Sequence, residues 1–179
     1  KLLARKNLPI TVIRSGNVIG GGDRGDKRLL VDLLNSVINK KTLFIRNPNG
    51  IRPWQDILDS IDGYIKAAEY TYKNLASEIF NLNSKPNNQY NVEALIKIYL
   101  EIWESEVDLV IDANNNLAES GILRLDSSKA RKILNWEPSV EIHESLKKIV
   151  AWEKSSLQKN AMDETIKQIE RYFTNDKSY

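Results

Sequence analysis

Two loops concentrate the residue types that bind anions. The first, "RSGNVIGGGD" (Arg14–Asp23), follows a β-branched run and ends in Gly20, Gly21, Gly22 and an aspartate. Glycines there can take positive φ and let a ligand approach the backbone closely. Successive amides in such a loop can form an anion-binding nest, and a helix starting near Leu29 would add the positive end of its dipole. The second loop, "RNPNGIRPWQD" (Arg46–Asp56), carries Arg46 and Arg52. An arginine fork suits phosphate oxygens because two parallel N–H donors can engage them. Each loop also has a plainer reading. The glycine run is neither GxGxxG nor a P-loop, so spacing alone favours a tight turn. The two arginines could equally be solvated flanks of a turn, and Trp54 reads first as a packing residue and second as a base-stacking one.

Little other chemistry is available. The chain has no cysteine and one histidine, His143, which excludes thiol catalysis and a His- or Cys-rich metal site. His143 is expected on the surface near a helix start, so no Ser-His-Asp arrangement can be argued. The carboxylates show no spacing that singles out an acid/base pair. Lys147 and Lys148 read as a solvated helix face.

Elements must hold these loops. "ITVIRS" is expected to be a buried strand, and "TLFI" and "DLVI" brief ones. "RNPNGIRP" reads as loop, because each Pro restricts itself and its predecessor. "EIFNLN" is a further strand. Helices are expected over "RLLVDLLNSVINK" (Leu30, Leu33, Leu34, Val37 and Ile38 at helical spacing) and "DSIDGYIKAAEYTYKN" (Ile61, Ile65 and Ala68 inward). Another is "NVEALIKIYLEIWE", capped by Asn91, with Val92, Leu95, Ile96 and Tyr99 on one face. "LDSSKARKILNW" should be a short helix with Asp126 as cap and Ala130, Ile133 and Leu134 inward. Two amphipathic helices follow, the last carrying Met162, Ile166, Ile169 and Phe173 at 4-3-4 spacing. Strands alternating with helices imply an α/β protein with a parallel sheet. The second half is mostly helical, and the polar "NSKPNNQYN" separates the two regions.

The composition fits a soluble globular chain: 179 residues, 41% hydrophobic and 28% charged. Twenty-six basic against 24 acidic residues give a formal net charge of +2, which makes no case for nucleic acid or membrane binding. No apolar run reaches the roughly 18 residues of a membrane span, and no signal peptide is visible. A cytoplasmic location is therefore expected. The chain opens on Lys1 in "KLLARKNLPITVI", which reads like a helix end, a turn and a strand. It is expected to begin inside a larger protein.

Taken together, "RSGNVIGGGD", "DKRLLVD", "IRNPNGIRPWQD", "EIFNLN" and "LDSSKARKILNWEP" resemble, in this order, the C-terminal half of the CDP-glucose 4,6-dehydratase branch of the extended short-chain dehydrogenase/reductase family. The resemblance covers nearly the whole chain. The pairing of GNVIGGGD with RNPxxIRPWQ is its most specific part. It implies the C-terminal part of a Rossmann-like parallel sheet plus a mostly helical nucleotide-sugar-binding lobe. Residues 1–83 would supply remaining strands and helices of the NAD-binding domain with a substrate-loop insertion, and residues 84–179 the helical substrate lobe. It implies substrate contacts from Asn17, from Arg28 and Leu29 along the nucleotide, and from Arg46 near base and ribose. Arg52 would bind the diphosphate and Glu119 the ribose. Val18 would approach the nicotinamide end of NAD.

The family usually reads LIPD or LVPD where this chain has "LLVD". Val31 therefore replaces Pro, which could shift the helix start. Ala118 stands where a His often precedes the acidic residue, and "LNW" replaces LGW. No Gly-rich NAD fingerprint and no YxxxK pair occur in the chain. No catalytic residue is therefore assigned, and the chain alone is expected to lack dehydratase activity. In the intact family enzyme, which the resemblance implies to be an NAD-dependent homodimer, a CDP-4-keto-6-deoxy sugar is formed from CDP-glucose. Two other readings stand beside this one: another NDP-sugar epimerase or dehydratase of the same fold, and a non-enzymatic interaction module lacking parallel strands.

Overall fold

The β-branched run after Pro9 forms β1 (Thr11–Ser15), and Gly16 then hands the chain to a second short strand, β2 (Asn17–Ile19). Only glycine fits at this hand-over, because a Cβ on Gly16 would lie 2.5 Å from the Pro53 carbonyl oxygen. Its N–H reaches both the Leu82 carbonyl at 3.2 Å and Gln55 Oε1 at 3.3 Å. The computed structural model describes residues 8–86, 89–111 and 124–174. Further elements are α1 (Leu29–Asn39), β3 (Leu43–Ile45), β4 (Ile51–Asp56), α2 (Ile57–Asn74), β5 (Glu78–Leu82) and β6 (Gln89–Asn91). They are followed by α3 (Val92–Trp103), β7 (Leu109–Ile111), α4 (Ser128–Leu134), α5 (Ile142–Leu157) and α6 (Ala161–Thr174).

The protein is α/β, and parallel pairing dominates. β1 runs parallel to β5, β2 to β4, and β3 to β7. These pairs rule out a module lacking parallel strands. The exception is β6, which pairs antiparallel with β4 from Ile51↔Asn91 to Pro53↔Gln89. The expected loop over "RNPNGIRP" therefore ends at Gly50, and Ile51–Pro53 are strand. Pro53 sits where β4 passes from β6 to β2, so its missing N–H interrupts neither ladder's middle.

Two apolar clusters interleave along the chain. One gathers Ile19, Leu33, Val37, Leu43, Ile45 and Trp54 with Leu95, Ile96, Tyr99, Ile142, Leu146, Ile149 and Val150. The other joins Ala67, Phe80 and Leu82 to Ala130, Leu134 and Trp136. The expected face of α3 is buried here, and Asn91 Oδ1 accepts from the Ala94 amide at 2.8 Å, a cap contributing about 1 kcal/mol. Asp126 binds the Ser128 amide at 2.9 Å and so performs the expected capping, although Ser127 is the residue directly before α4. Val31 leaves the start of α1 regular: the Asp32 amide donates to the Arg28 carbonyl at 2.9 Å. Position 31 lies before the first amide with an intrahelical acceptor, so Pro or Val serves equally there. Asn135, in place of the family's Gly, takes φ 48°, ψ 44° as the residue closing α4. Asn tolerates this left-handed corner well.

Several inward assignments are corrected. In α2 the buried residues are Leu58, Asp59, Ser60, Gly63 and Ala67, while Ile61, Ile65 and Ala68 face outward. Polar bonds turn the helix. Asp59 Oδ1 accepts from the Ser139 amide and hydroxyl at 2.9 Å and from the Tyr172 hydroxyl at 3.0 Å, and Oδ2 accepts from the Val140 amide at 3.1 Å. Burial nevertheless pushes the Asp59 carboxyl above the usual carboxylate range, against the two amides and the Ser139 hydroxyl. Polar bonds orient α6 likewise. Trp152 Nε1 donates to Thr165 Oγ1 at 2.8 Å, and Gln168 Nε2 donates to the Lys148 carbonyl at 2.9 Å. Its apolar stripe of Met162, Ile166, Ile169 and Phe173 is therefore exposed. Ile38 and Ile133 are exposed as well.

Lys148 is not solvated. It is 4% exposed, and its Nζ lies 2.7 Å from Asp56 Oδ2, whose side chain is 3% exposed. Ser145 Oγ donates to the same oxygen at 2.8 Å, and Asp56 Oδ1 caps α2 through the Leu58 amide at 2.9 Å. Lys147, one residue before, is exposed as expected.

Candidate functional site

A cleft of about 530 Å³ opens where β2, β3 and β4 meet the N-terminus of α1. The parallel register sets Asn17 opposite Trp54, next to Arg52 on the same strand. Leu29 and Leu30, the first residues of α1, line the cleft. Amides of a first helical turn lack intrahelical acceptors and attract anions. The structure thus brings Asn17, Val18, Arg28, Leu29, Arg46 and Arg52 onto one cleft. Glu119 and Ala118 lie outside the described residues.

The glycine loop borders this cleft at Gly20 and Asp23, whereas Gly21 and Gly22 pack on Trp152 of α5. A Cβ on Gly21 would meet Trp152 Cγ at 2.5 Å, and one on Gly22, whose φ is +81°, would meet the same ring at 2.9 Å. The Gly22 amide donates to Glu153 Oε1 at 2.9 Å. Arg24 grips both oxygens of Glu153 at 3.0 and 2.8 Å, with its guanidinium 5.7 Å from the Trp152 ring centre. The run is therefore a corner clamped onto α5, as spacing suggested, and its Gly22 amide is already committed.

From that clamp the chain turns back through Asp23, whose Oδ1 accepts from the Gly25 amide at 2.9 Å and whose Oδ2 accepts from Arg28 at 2.8 Å. Partial burial raises the Asp23 pKa, but Gly25 and Arg28 outweigh it and hold the carboxyl below its usual range. Arg28, whose backbone is extended at φ −106° and ψ 130° just before α1, is thereby tethered on the cleft lining. Substituting Gly21→Ala should force the loop off Trp152. A loss of about 1–3 kcal/mol in urea unfolding is expected. A variant as stable as the parent would show that the clamp does not hold the loop.

No family model matches the chain. Among curated proteins, the CDP-glucose 4,6-dehydratase of Salmonella typhimurium is 38% identical over 145 residues, covering 80% of this chain and 40% of that protein. A UDP-glucuronate 4-epimerase of Thermodesulfobacterium geofontis is 31% identical over 98 residues, covering 55% of this chain and 30% of its own length. The crystal structure of UDP-glucuronic acid 4-epimerase from Bacillus cereus, in complex with UDP-glucuronic acid and NAD, superposes with a TM-score of 0.72 at 25% identity. It is matched over 82% of this chain and 46% of its own. The chain belongs to the nucleotide-sugar epimerase and dehydratase family. It spans 40% of the dehydratase relative and less than half of the epimerase structure.

The sequence reasoning missed Asp23, Lys27, Asp32 and Asn47, all of which line the cleft. Trp54 is both packed, at 5% exposure, and part of the wall, its Nε1 donating to the Tyr90 carbonyl at 2.9 Å. Asp32 lies in the first turn of α1, directly after the Arg28–Leu29 pair that the resemblance assigns to the nucleotide. Among the described residues no group of His, Asp or Glu could hold a metal ion, and no helix is long and apolar enough to cross a membrane.

Proposed function

We propose that the chain is the nucleotide-sugar-binding segment of an NAD-dependent CDP-glucose 4,6-dehydratase, a lyase of polysaccharide-sugar synthesis. The observation that carries this reading is the gathering of Asn17, Arg28, Leu29, Arg46 and Arg52 on one cleft beside a helix N-terminus. The similarity to the Salmonella dehydratase supports the choice of CDP-glucose. The diphosphate sits against the first-turn amides of α1 and between Arg28 and Arg52, where fixed donors replace its water. Asn17 offers both a donor and an acceptor to orient the sugar next to it. Arg46 is assigned to the base and ribose, and the family resemblance assigns Glu119, outside the described residues, to the ribose.

In this reading residues 1–83 carry the Rossmann-side strands with the substrate loop inserted between them, and residues 84–179 most of the helical lobe. Val18 is the one assigned contact to NAD, and it fits such a role by lining the cleft between Asn17 and Ile19. The dinucleotide fingerprint and the catalytic Tyr and Lys belong to residues other than these, and the working enzyme is a cytoplasmic homodimer. NAD supplies reversible hydride transfer at C4 and C6 of the glucose. The residues described here bind and orient the sugar nucleotide for it.

A second reading, a UDP-sugar epimerase, draws support from the Bacillus cereus epimerase that holds UDP-glucuronic acid on a similar fold. Calorimetric titration of the chain with CDP, UDP, dTDP and GDP separates the two. CDP should bind most tightly, and Arg52→Ala should weaken it about 10- to 100-fold through loss of charge-assisted bonds to the diphosphate. Tightest binding of UDP would favour the epimerase, and unchanged CDP affinity in Arg52→Ala would remove Arg52 from the diphosphate site.

A further inference from the structure

β4 carries a buried carboxamide that packing alone does not explain. Gln55 lies between Trp54 and Asp56 and is wholly enclosed. A side chain with no accessible surface cannot touch a ligand. Its Oε1 accepts from the Gly16 amide at 3.3 Å, while its Nε2 has no partner among the described residues. The carboxamide cannot be turned the other way, because Nε2 would then face the Gly16 N–H, donor against donor. Gly16 does not depend on this bond for a partner, since its N–H also donates to the Leu82 carbonyl at 3.2 Å. An apolar side chain of similar length would leave no buried donor unpaired, and leaving one is costly. The Gln55 oxygen therefore does more than satisfy a stray amide.

Its effect follows from where Gly16 stands. β1 pairs with β5 in one sheet, and β2 pairs with β4 in another. Gly16 is the single residue between β1 and β2. Its N–H is shared between Leu82, the last residue of β5, and Gln55 of β4, so one donor ties the two sheets together. The Gly16 backbone also lies tightly against β4, where a Cβ would come within 2.5 Å of the Pro53 carbonyl oxygen. The orientation of this peptide fixes how the chain enters β2. The first residue of β2 is Asn17, which lines the cleft, and the second, Val18, is the ladder partner of Gln55.

We propose that Gln55 is a positioning residue: its carboxamide oxygen fixes the Gly16 hand-over between the two sheets and thereby sets Asn17 for the sugar of the bound nucleotide. This rests on the reading of the cleft as a nucleotide-sugar site with Asn17 beside the sugar. A residue that only filled space would be replaced by methionine, of similar size and without the acceptor, at no loss of binding.

The test is calorimetric titration with CDP-glucose and with CDP of the parent chain, Gln55→Met, Gln55→Glu, Asn17→Ala and the double variant Asn17→Ala/Gln55→Met, alongside thermal unfolding. The parent should bind CDP-glucose more tightly than CDP. Gln55→Met should weaken CDP-glucose by about 3- to 10-fold, the scale of one hydrogen bond, and leave CDP unchanged. In the Asn17→Ala background the same substitution should have no further effect, because the two residues act as one unit. Gln55→Glu, which keeps an oxygen for the Gly16 amide, should retain the preference for CDP-glucose. Unchanged CDP-glucose affinity in Gln55→Met would overturn the proposal. So would an equal loss for both ligands, or a full loss in the Asn17→Ala background. If Gln55→Met does not fold, a folded Gln55→Glu without the preference overturns it, and failure of both to fold makes Gln55 a stability residue only. A parent that binds CDP as tightly as CDP-glucose removes the sugar contact of Asn17, and the role of Gln55 with it, but leaves the diphosphate cleft standing. Binding of neither ligand would overturn the cleft reading itself.

Discussion

Replacing Lys148 with alanine is expected to cost about 3–5 kcal/mol of folding stability, because it strands a buried carboxylate. Lys148 and Asp56 are almost wholly enclosed, 2.7 Å apart. Ser145 would remain as a side-chain donor to Asp56 Oδ2. Asp56 could not turn to water, since its other oxygen caps α2 through Leu58. The consequence reaches the cleft. Asp56 ends β4, the strand that carries Arg52 and Trp54, and Lys148 sits on α5, the helix that clamps the glycine loop. Urea unfolding should therefore show a much lower midpoint. A midpoint within error of the parent would mean that the pair contributes no net stability.

A loss of similar size, about 3–5 kcal/mol, is expected for Trp136→Ala. Trp136 is fully buried at the centre of the cluster around Phe80 and Leu82, and its Nε1 donates to the Asp59 carbonyl at 3.0 Å. Its indole lies so close to α2 that a Cβ on Gly63 would meet Nε1 at 3.0 Å. Truncation leaves a cavity and removes the indole donor from the Asp59 carbonyl. Because this cluster is separate from the one behind the cleft, Trp136→Phe should recover most of the packing but not the hydrogen bond. Comparison of the two variants by thermal unfolding checks this: equal stability of Trp136→Ala and the parent would contradict the packing described.

Periodicity was sufficient where one apolar stripe meets one apolar neighbour. The buried face of α3 and its Asn91 cap follow directly from "NVEALIKIYLEIW". It failed where polar bonds set the rotation of a helix. In α2, Asp59 draws Ser139, Val140 and Tyr172, and so Ile61 and Ile65 turn outward. In α6 the stripe of Met162, Ile166, Ile169 and Phe173 is plain in the sequence but faces out, for the packed side carries Thr165 and Gln168. Lys148 beside Lys147 looks like any charged helix pair; its partner is remote in sequence, and spacing carries no trace of it. The strands β2 ("NVI") and β6 ("QYN") are as short as β3 and β7 but lack the unbroken apolar run that marks those two.

The cleft itself was partly legible. The glycine loop and the Arg46–Arg52 loop were visible as residue types, and Asn17 only through the family resemblance. It is the register of β2 on β4 that brings Asn17 beside the strand of Arg52. The reading of the glycines was decided by Trp152, a residue on a distant helix that packs against the Gly21–Gly22 corner.

The central claim is that this cleft binds a nucleoside diphosphate with its phosphates at the α1 N-terminus. Amide chemical-shift mapping of the isotopically labelled chain during addition of CDP tests it most directly. Shifts should concentrate at Asn17, Val18, Leu29, Leu30, Arg46 and Arg52 and saturate together. Shifts confined instead to the open pocket bounded by Leu8, Val12, Ile79 and Lys129, or no shifts at all, would contradict it.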